Sequence, residues 1–132
     1  MVADRLAREV VDAALGVHRA LGPGHLESVY EEALAIELTE REVPFVRQVT
    51  VAIEYKGHSV GGARLDLLVG GVLVVELKAV EQLVPIHTAQ VLSYLKATNL
   101  ELALLLNFNV PRLKDGGLRR VVRTHHGQLR EA

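Results

Sequence analysis

The sequence predicts an α/β fold in which helices pack on a mixed central β-sheet, with the elements in the order α-α-β-β-β-α-β-β. Apolar residues recur every three or four positions up to residue 42 and alternate with polar ones from residue 49, which marks a change from helix to strand. Two segments, residues 72–80 with an apolar start and residues 102–108 with a continuous apolar run, are typical of buried strands. A helical segment between them indicates a crossover, so we expect a sheet with helices packed on it.

Two helices come first. We expect the first over residues 3–21, ended by Gly22-Pro23-Gly24, because apolar side chains share one face there. The residues on that face are Leu6, Val10, Ala13, Val17 and Leu21. The second helix is predicted from about His25 to Glu42, and Pro44 prevents its extension. Its predicted apolar stripe consists of Leu26, Val29, Ala33 and Ile36.

Three strands follow as a meander. Residues 49–55 alternate in polarity, which predicts a half-buried strand that ends in a turn at Lys56-Gly57. The second strand covers about residues 59–69, with Gly61-Gly62 as a candidate bulge. Gly70-Gly71 then forms the next turn. The third strand, Val72 to Val80, is apolar on both faces at its start, so we expect it at the centre of the sheet.

The rest of the chain continues the same alternation of helix and strand. A third helix is predicted over about Pro85 to Asn99, with the proline in its first turn. A fourth strand covers Leu102 to Phe108, and a short strand lies near Leu118 to Thr124, followed by a polar tail. We expect residues 1–132 to form a single domain.

Composition excludes several classes of function. The 132 residues are 49% hydrophobic and 23% charged, which is the balance of a globular protein. The absence of cysteine excludes disulfide scaffolds, thiolate zinc sites and thiol nucleophiles. The net charge of −1 means that nucleic acid could bind only through a local patch. No apolar run reaches the roughly 20 residues that span a bilayer, and no signal peptide is recognisable, so we expect a cytoplasmic protein without membrane contact.

Charged residues interrupt the apolar strands at one place. Glu76 and Lys78 follow the run Val72–Val75, and side-chain alternation puts both on one face. The Gly70-Gly71 hairpin would bring Asp66 of the preceding strand close to Glu76. Two adjacent carboxylates need a proton or a cation between them, and oxygen ligands favour Mg²⁺ or Mn²⁺. We interpret this group as a metal site; the alternative is a surface ion pair between Glu76 and Lys78.

Two helical motifs accompany the acidic pair. On the third helix His87, Gln90 and Tyr94 recur at steps of three and four and so share a face. That face could equally be a solvated stripe beside the core. On the second helix Gly24, Glu27 and Tyr30 form the pattern G-x-x-E-x-x-Y. Taken alone, Glu27 would be an ordinary acidic residue that complements the helix dipole.

Together, these motifs resemble the GxxExxY family of the PD-(D/E)XK nuclease superfamily, whose core is restriction-endonuclease-like. The matching segments follow the family order: GPGHLESVYEEAL (22–34), RLDLLV (64–69), VVELKAV (74–80), HTAQVLSYLKAT (87–98) and LLLNF (104–108). The resemblance implies a mixed four-stranded core in the order α-β-β-β-α-β, which agrees with the predicted order apart from one helix before it and one strand after it. The chain departs from the pattern at the Pro-Asp pair, since Leu65 precedes Asp66.

The resemblance also implies a set of metal ligands. Asp66 and Glu76 would bind a divalent metal, Mg²⁺ or Mn²⁺, and the backbone carbonyl of Leu77 would be a further ligand. Glu27 would hold the metal directly or through water.

The remaining residues of the implied catalytic set act beside the metal. Lys78 would position or activate the attacking water. Gln90 and Tyr94 match the Q-x-x-x-Y feature of the exonuclease-like branch, which includes nucleases of recombination repair. They would orient the scissile phosphate or the metal ligands.

The implied activity is metal-dependent hydrolysis of phosphodiester bonds in DNA, in repair or recombination. A second hypothesis is a catalytically silent module that keeps the nuclease fold and binds nucleic acid or a protein partner. A third is a subunit whose activity needs a homo-oligomer or another protein.

Basic residues are concentrated near the C-terminus. They are Arg112, Lys114, Arg119, Arg120, Arg123 and Arg130. We predict that Arg119, Arg120 and Arg123 contact the phosphate backbone, with His125 and His126 adding charge at lower pH. The alternative is a solvated tail. His18, His25 and His58 are expected to be surface residues.

Overall fold

The computed structural model describes residues 2–124 and 129–131; the predictions for His125 and His126 fall outside this part. The helices are α1 (Val2–Leu21), α2 (Glu27–Glu40) and α3 (Pro85–Thr98). The strands are β1 (Phe45–Tyr55), β2 (His58–Val69), β3 (Leu73–Lys78), β4 (Leu102–Asn107), β5 (Leu118–Arg123) and β6 (Leu129–Glu131). None of the helices in the described residues has the length and apolar character that crossing a bilayer requires.

The strands of the described residues form one mixed sheet whose spatial order, β1-β2-β3-β4-β5-β6, is also their order along the chain. β3 and β4 run parallel and α3 connects them, whereas every other neighbouring pair is antiparallel. This confirms the α/β fold and the order of elements, with β3 inside the sheet. β6 extends the sheet where the sequence predicted only a polar tail.

Both predicted turns are present between β1, β2 and β3. Gly70 and Gly71 have φ values of 59° and 71°, and the Val72 N–H donates to the Val69 carbonyl at 3.1 Å. This is a two-residue turn that requires positive φ at both central positions. Lys56 and Gly57, with φ values of 50° and 80°, make the corresponding turn between β1 and β2.

The bulge in β2 lies one residue before the predicted position. Ile53 pairs with Gly61 and Glu54 pairs with Ser59, so Val60 is the extra residue. Gly62 remains paired, opposite Ala52. Val60 is 62% exposed, so leaving the ladder costs it little apolar contact.

The core has two layers, one on each face of the sheet. The first packs α1 and α2 on the sheet and includes Leu6, Val10, Leu34, Val75 and Leu104. The second packs α3 on the other face and includes Leu65, Val74, Val91, Leu95 and Leu105. Successive residues of β3 and β4 enter opposite layers, which is why these strands read as continuous apolar runs.

The predicted apolar stripe of α2 is wrong except at Ala33, which packs against the core. Leu26 and Ile36 are 75% and 61% exposed, and the side chains that α2 buries are instead Tyr30, Leu34, Ala35 and Leu38. The helix is apolar on two sides, so periodicity alone did not identify the buried one. The Tyr30 ring stacks on Phe108 at 4.6 Å between centroids, and this large aromatic contact sets which side faces the sheet.

His18 is buried, whereas the sequence predicted a surface residue; His25 and His58 are exposed as expected. The Nε2 atom of His18 lies 3.1 Å from the Phe108 carbonyl and 2.8 Å from the Val110 carbonyl. A proton on Nε2 donates to both oxygens. His18 thereby ties α1 to the segment that follows β4.

Candidate functional site

Asp66 and Glu76 meet where β2 and β3 stop pairing. Leu67 is the last residue of β2 that pairs with β3, opposite Val75, so Asp66 and Glu76 occupy the next position of the register. At this position, hydrogen bonds from backbone N–H groups to the two carboxyl groups replace the backbone pairing of the strands. The Leu77 N–H donates to Asp66 Oδ2 at 2.9 Å, and the Asp66 N–H donates to Glu76 Oε1 at 3.3 Å.

Burial makes Glu76 the most perturbed acid of this group. It is 5% exposed, and burial, a hydrogen bond with the Asp66 side chain and the Asp66 charge raise its pKa to about 9. At neutral pH Glu76 therefore keeps a proton that it shares with Asp66. The structure brings together the two carboxyl groups that the sequence predicted to be neighbours.

An irregularity in β1 lies opposite Asp66. Gln48 has a φ of 52°, and in the register it falls between the pairs Arg47–Leu67 and Val49–Leu65. Leu67 enters the layer of α1 and α2, whereas Leu65 enters the layer of α3. The β1–β2 hairpin therefore changes faces at Gln48 and Asp66, and a local break of this kind re-aims a side chain.

The loop before α2 is held by the other residues of the G-x-x-E-x-x-Y motif. Gly24 has a φ of 100°, and its N–H donates to Asn109 Oδ1 at 3.1 Å. The Tyr30 hydroxyl donates to the Gly22 carbonyl at 2.6 Å and accepts the His25 N–H at 3.1 Å. Glycine suits the positive φ, and the buried tyrosine anchors the start of the helix that carries Glu27.

Glu27, in the first turn of α2, lies close enough to Asp66 and Lys78 for their charges to act on it. Its residue surface is largely exposed, but desolvation of its carboxyl and the charge of Asp66 raise its pKa, with Lys78 acting in the opposite direction. Glu27 is thus the third acid whose charge acts on this group.

Glu31, one turn beyond Glu27, connects α2 to β1. Its carboxylate accepts Arg47 Nε at 3.0 Å and Gln48 Nε2 at 2.7 Å. Arg47 also bonds Glu32 at 2.6 Å. These contacts fix the helix that bears Glu27 to the strand residue opposite Asp66.

Gln90 and Tyr94 of α3 lie beside the charged residues of β2 and β3. Lys78 Nζ donates to Gln90 Oε1 at 3.4 Å. Burial and the charges of Glu76 and Asp66 raise the pKa of Tyr94, so its hydroxyl stays protonated and can donate a hydrogen bond. Gln90 therefore contacts Lys78, and Tyr94 lies where the charges of Glu76 and Asp66 act on its hydroxyl. His87 is occupied locally, because its Nδ1 accepts the Val84 N–H at 3.1 Å.

Asn107 is a structural residue that sequence reasoning missed. It is fully buried at the end of β4, its Oδ1 accepts the Val80 N–H and its Nδ2 donates to the Val80 carbonyl, both at 3.0 Å. These bonds hold the chain as it leaves Lys78. The available signal was an amide at the end of a strand that is otherwise wholly apolar.

The predicted nucleic-acid contacts on β5 do not share a face. Arg119 bonds Thr88 of α3 at 3.3 Å, and Arg123 bonds the Leu100 carbonyl at 3.0 Å. Arg120 points to the other face and pairs with Asp4 of α1. The structure therefore separates Arg120 from Arg119 and Arg123.

The donors that converge suit a metal that retains water ligands. Among the described residues, no three acidic or histidine side chains are arranged to chelate an ion. Asp66 and Glu76 lie together, and strand alternation directs the Leu77 carbonyl to the same edge of β3 as its N–H, which bonds Asp66. Mg²⁺ typically takes one or two carboxylates and keeps several waters. Two carboxylates and a carbonyl fit that preference, with Glu27 nearby.

The chain matches one known protein family. A family model described as the PD-(D/E)XK nuclease superfamily matches residues 4–121. No curated protein and no solved structure gives a match. The matched span contains every candidate residue around the acidic pair.

Proposed function

Since the chain belongs to the PD-(D/E)XK nuclease superfamily, we propose that it is a metal-dependent nuclease that hydrolyses phosphodiester bonds in DNA. The observation that carries this proposal is the pairing of Asp66 with Glu76, in which the Glu76 carboxyl accepts the Asp66 N–H and the Asp66 carboxyl accepts the Leu77 N–H, next to the contact of Lys78 with Gln90. The GxxExxY branch, and a setting in repair or recombination, are proposed from the motif pattern around Glu27.

The proposed metal is Mg²⁺ or Mn²⁺, held by Asp66, Glu76 and the Leu77 carbonyl, with Glu27 bound directly or through water. When bound, such an ion neutralises phosphate charge and lowers the pKa of a coordinated water. Glu76 must release its proton to serve as a ligand, because a metal binds the carboxylate form.

The chain's own polar groups would act on the phosphate. The Lys78 ammonium offers positive charge where negative charge develops during attack. Its hydrogen bond to Gln90, at 3.4 Å, restrains the ammonium between β3 and α3. The protonated Tyr94 hydroxyl offers a hydrogen bond to a phosphate oxygen. We therefore propose roles in charge stabilisation for Lys78, in positioning for Gln90, and in orienting the phosphate for Tyr94.

The test is cleavage of end-labelled single- and double-stranded DNA, and of RNA, with Mg²⁺ or Mn²⁺. Asp66→Asn, Glu76→Gln and Lys78→Met should each lower the rate by at least about 100-fold, the scale expected for losing a preorganised electrostatic group. Glu40→Gln and Lys96→Met alter the same residue types at exposed positions outside the site and should cleave like the parent protein. Parental activity in any of the three site variants would defeat the assignment.

A catalytically silent module is the second candidate. It is favoured by one observation: within the described residues no third acidic or histidine side chain completes a chelating group. A module of this kind would retain labelled DNA without cleaving it at any Mg²⁺ or Mn²⁺ concentration, and Asp66→Asn would not change that binding.

A further inference from the structure

Two adjoining hollows lie between α1 and the segment 111–120. Their volumes are about 530 and 450 Å³, and Leu15 and Lys114 line both, so they form one continuous depression, here called the α1 groove. Leu104, which lines it, belongs to the layer of α1 and α2. Val74 belongs to the layer of α3, and Glu76, two residues further along β3, points to the same face of the sheet. The α1 groove is therefore on the opposite face of the sheet from the acidic pair.

The α1 groove is lined by more basic than acidic residues, although the chain carries a net charge of −1. Its lining holds six of the chain's fifteen lysines and arginines. They are Arg8, Arg19, Arg112, Lys114, Arg119 and Arg120. Arg119 borders the groove but directs its side chain to Thr88 of α3, on the other face of the sheet. Two acidic residues, Glu9 and Asp12, also line it.

Intramolecular ion pairs engage both of these acids and also two of the cations, since Arg120 pairs with Asp4 and Arg112 with Asp115. Arg41 lies 3.7 Å from Glu9 and 3.4 Å from Asp12. Within the described residues, no ion pair engages Arg8 or Lys114, and both side chains are exposed. The groove therefore keeps a local excess of positive charge that faces solvent.

The floor of the α1 groove is aliphatic. Val11, Leu15 and Leu118 line it and remain half-buried, and none of the lining residues is Phe, Tyr or Trp. Grooves that bind single-stranded nucleic acid combine basic charge with aromatic rings on which bases stack. An aliphatic floor with a cationic rim instead complements a polypeptide that presents carboxylates beside aliphatic side chains.

We propose that the α1 groove docks an acidic, leucine-containing segment of a partner protein. The carboxylates of that segment face Arg8, Lys114 and their basic neighbours, while its aliphatic side chains cover Val11, Leu15 and Leu118. Charge complementarity selects the segment, and burial of the aliphatic floor contributes to its affinity.

The test is binding of a short fluorescent peptide in which Glu and Leu alternate, measured by anisotropy at low ionic strength. Arg8→Glu combined with Lys114→Glu should weaken binding at least about tenfold, since several charge pairs become repulsive. The matched control is Lys56→Glu combined with Lys96→Glu, which changes net charge equally on other elements. Circular dichroism of both double variants checks that the fold is retained.

The result expected is binding to the parent and control proteins that weakens as salt is raised, and loss in the groove variant. Peptides with Lys in place of Glu, or Gly in place of Leu, should bind at least tenfold more weakly. Glu76→Gln should bind like the parent, which separates this surface from the proposed nuclease site. Absence of peptide binding, equal loss in the control, or tighter binding of a single-stranded oligonucleotide would overturn the proposal.

Discussion

The shared proton of Asp66 and Glu76 couples the stability of the protein to pH. Glu76 has a pKa of about 9 in the folded protein against 4.5 for the ordinary side chain. Between these values the folded chain holds a proton that the unfolded chain has released. The contribution of Glu76 to the free energy of unfolding is therefore fully present below about pH 4.5 and is lost progressively as the pH rises toward about 9.

Glu76→Gln removes the loss of stability that accompanies rising pH, because an amide can donate to Asp66 without having to hold a titratable proton. We expect the metal-free variant to be more stable than the parent by about 3 kcal/mol near neutral pH. The difference should shrink toward pH 5 and widen toward pH 9. Urea unfolding followed by circular dichroism at a series of pH values measures it.

Glu40→Gln is the control for this series, since Glu40 is an exposed acid on α2. Its unfolding free energy should follow that of the parent at every pH. A Glu76→Gln protein with the same pH dependence as the parent would contradict the buried, shared proton.

At the scale of elements, Tyr30 links the loop before α2 to the core. Tyr30→Phe preserves the stacking on Phe108 but leaves the Gly22 carbonyl and the His25 N–H without their partner. We expect a loss of about 1–2 kcal/mol in unfolding free energy. Cleavage activity should also fall, because the start of the helix bearing Glu27 is released.

Tyr55→Phe provides the comparison for that change, since Tyr55 is 63% exposed at the end of β1. It should leave both the unfolding free energy and the activity unaltered. Equal behaviour of the two variants would show that the Tyr30 hydroxyl does not anchor the loop.

The conformation of β1 at Gln48 gives a second prediction at this scale. A φ of 52° is costly for a β-branched residue and free of steric cost for glycine. Gln48→Val should therefore destabilise the protein by about 1–2 kcal/mol more than Gln48→Gly, although both lose the bond to Glu31. Thermal unfolding compares them, and Thr50→Val serves as a control on the same strand. A valine variant at least as stable as the glycine variant would contradict the left-handed conformation.

Local sequence patterns predicted the helices and strands well, because glycine, proline or a change of apolar period marks where each element ends. The Gly70-Gly71 turn and the Glu-x-Lys sequence after an apolar run were enough to place Asp66 beside Glu76. The buried side of α2 was not predictable from periodicity, because its choice depends on the Tyr30–Phe108 stack between residues 78 positions apart. The partners of Arg119, Arg120 and Arg123 likewise depend on which layer each strand residue enters.

At the scale of the whole molecule, metal binding should stabilise the fold as well as enable cleavage. A ligand that binds only the folded state adds about 2.7 kcal/mol at a concentration 100 times its dissociation constant. We expect Mg²⁺ or Mn²⁺ to raise the melting temperature of the parent protein, and increasingly so toward pH 9, because Glu76 then releases its proton more readily.

Asp66→Asn should abolish most of this shift in melting temperature, while Glu40→Gln should retain it. Differential scanning fluorimetry with and without chelator measures both. The same shift in Asp66→Asn as in the parent would place the ion elsewhere on the molecule.

The coincidence of strand order in space and in sequence has a consequence for biosynthesis. Each new strand can add to the one made just before it, so the sheet can grow outward as the polypeptide leaves the ribosome. The two acids, ten residues apart around a tight turn, can meet early. Gln90 and Tyr94 arrive only after α3 has been synthesised. A nascent chain is therefore expected to bring Asp66 and Glu76 together before Gln90 and Tyr94 take their places beside them.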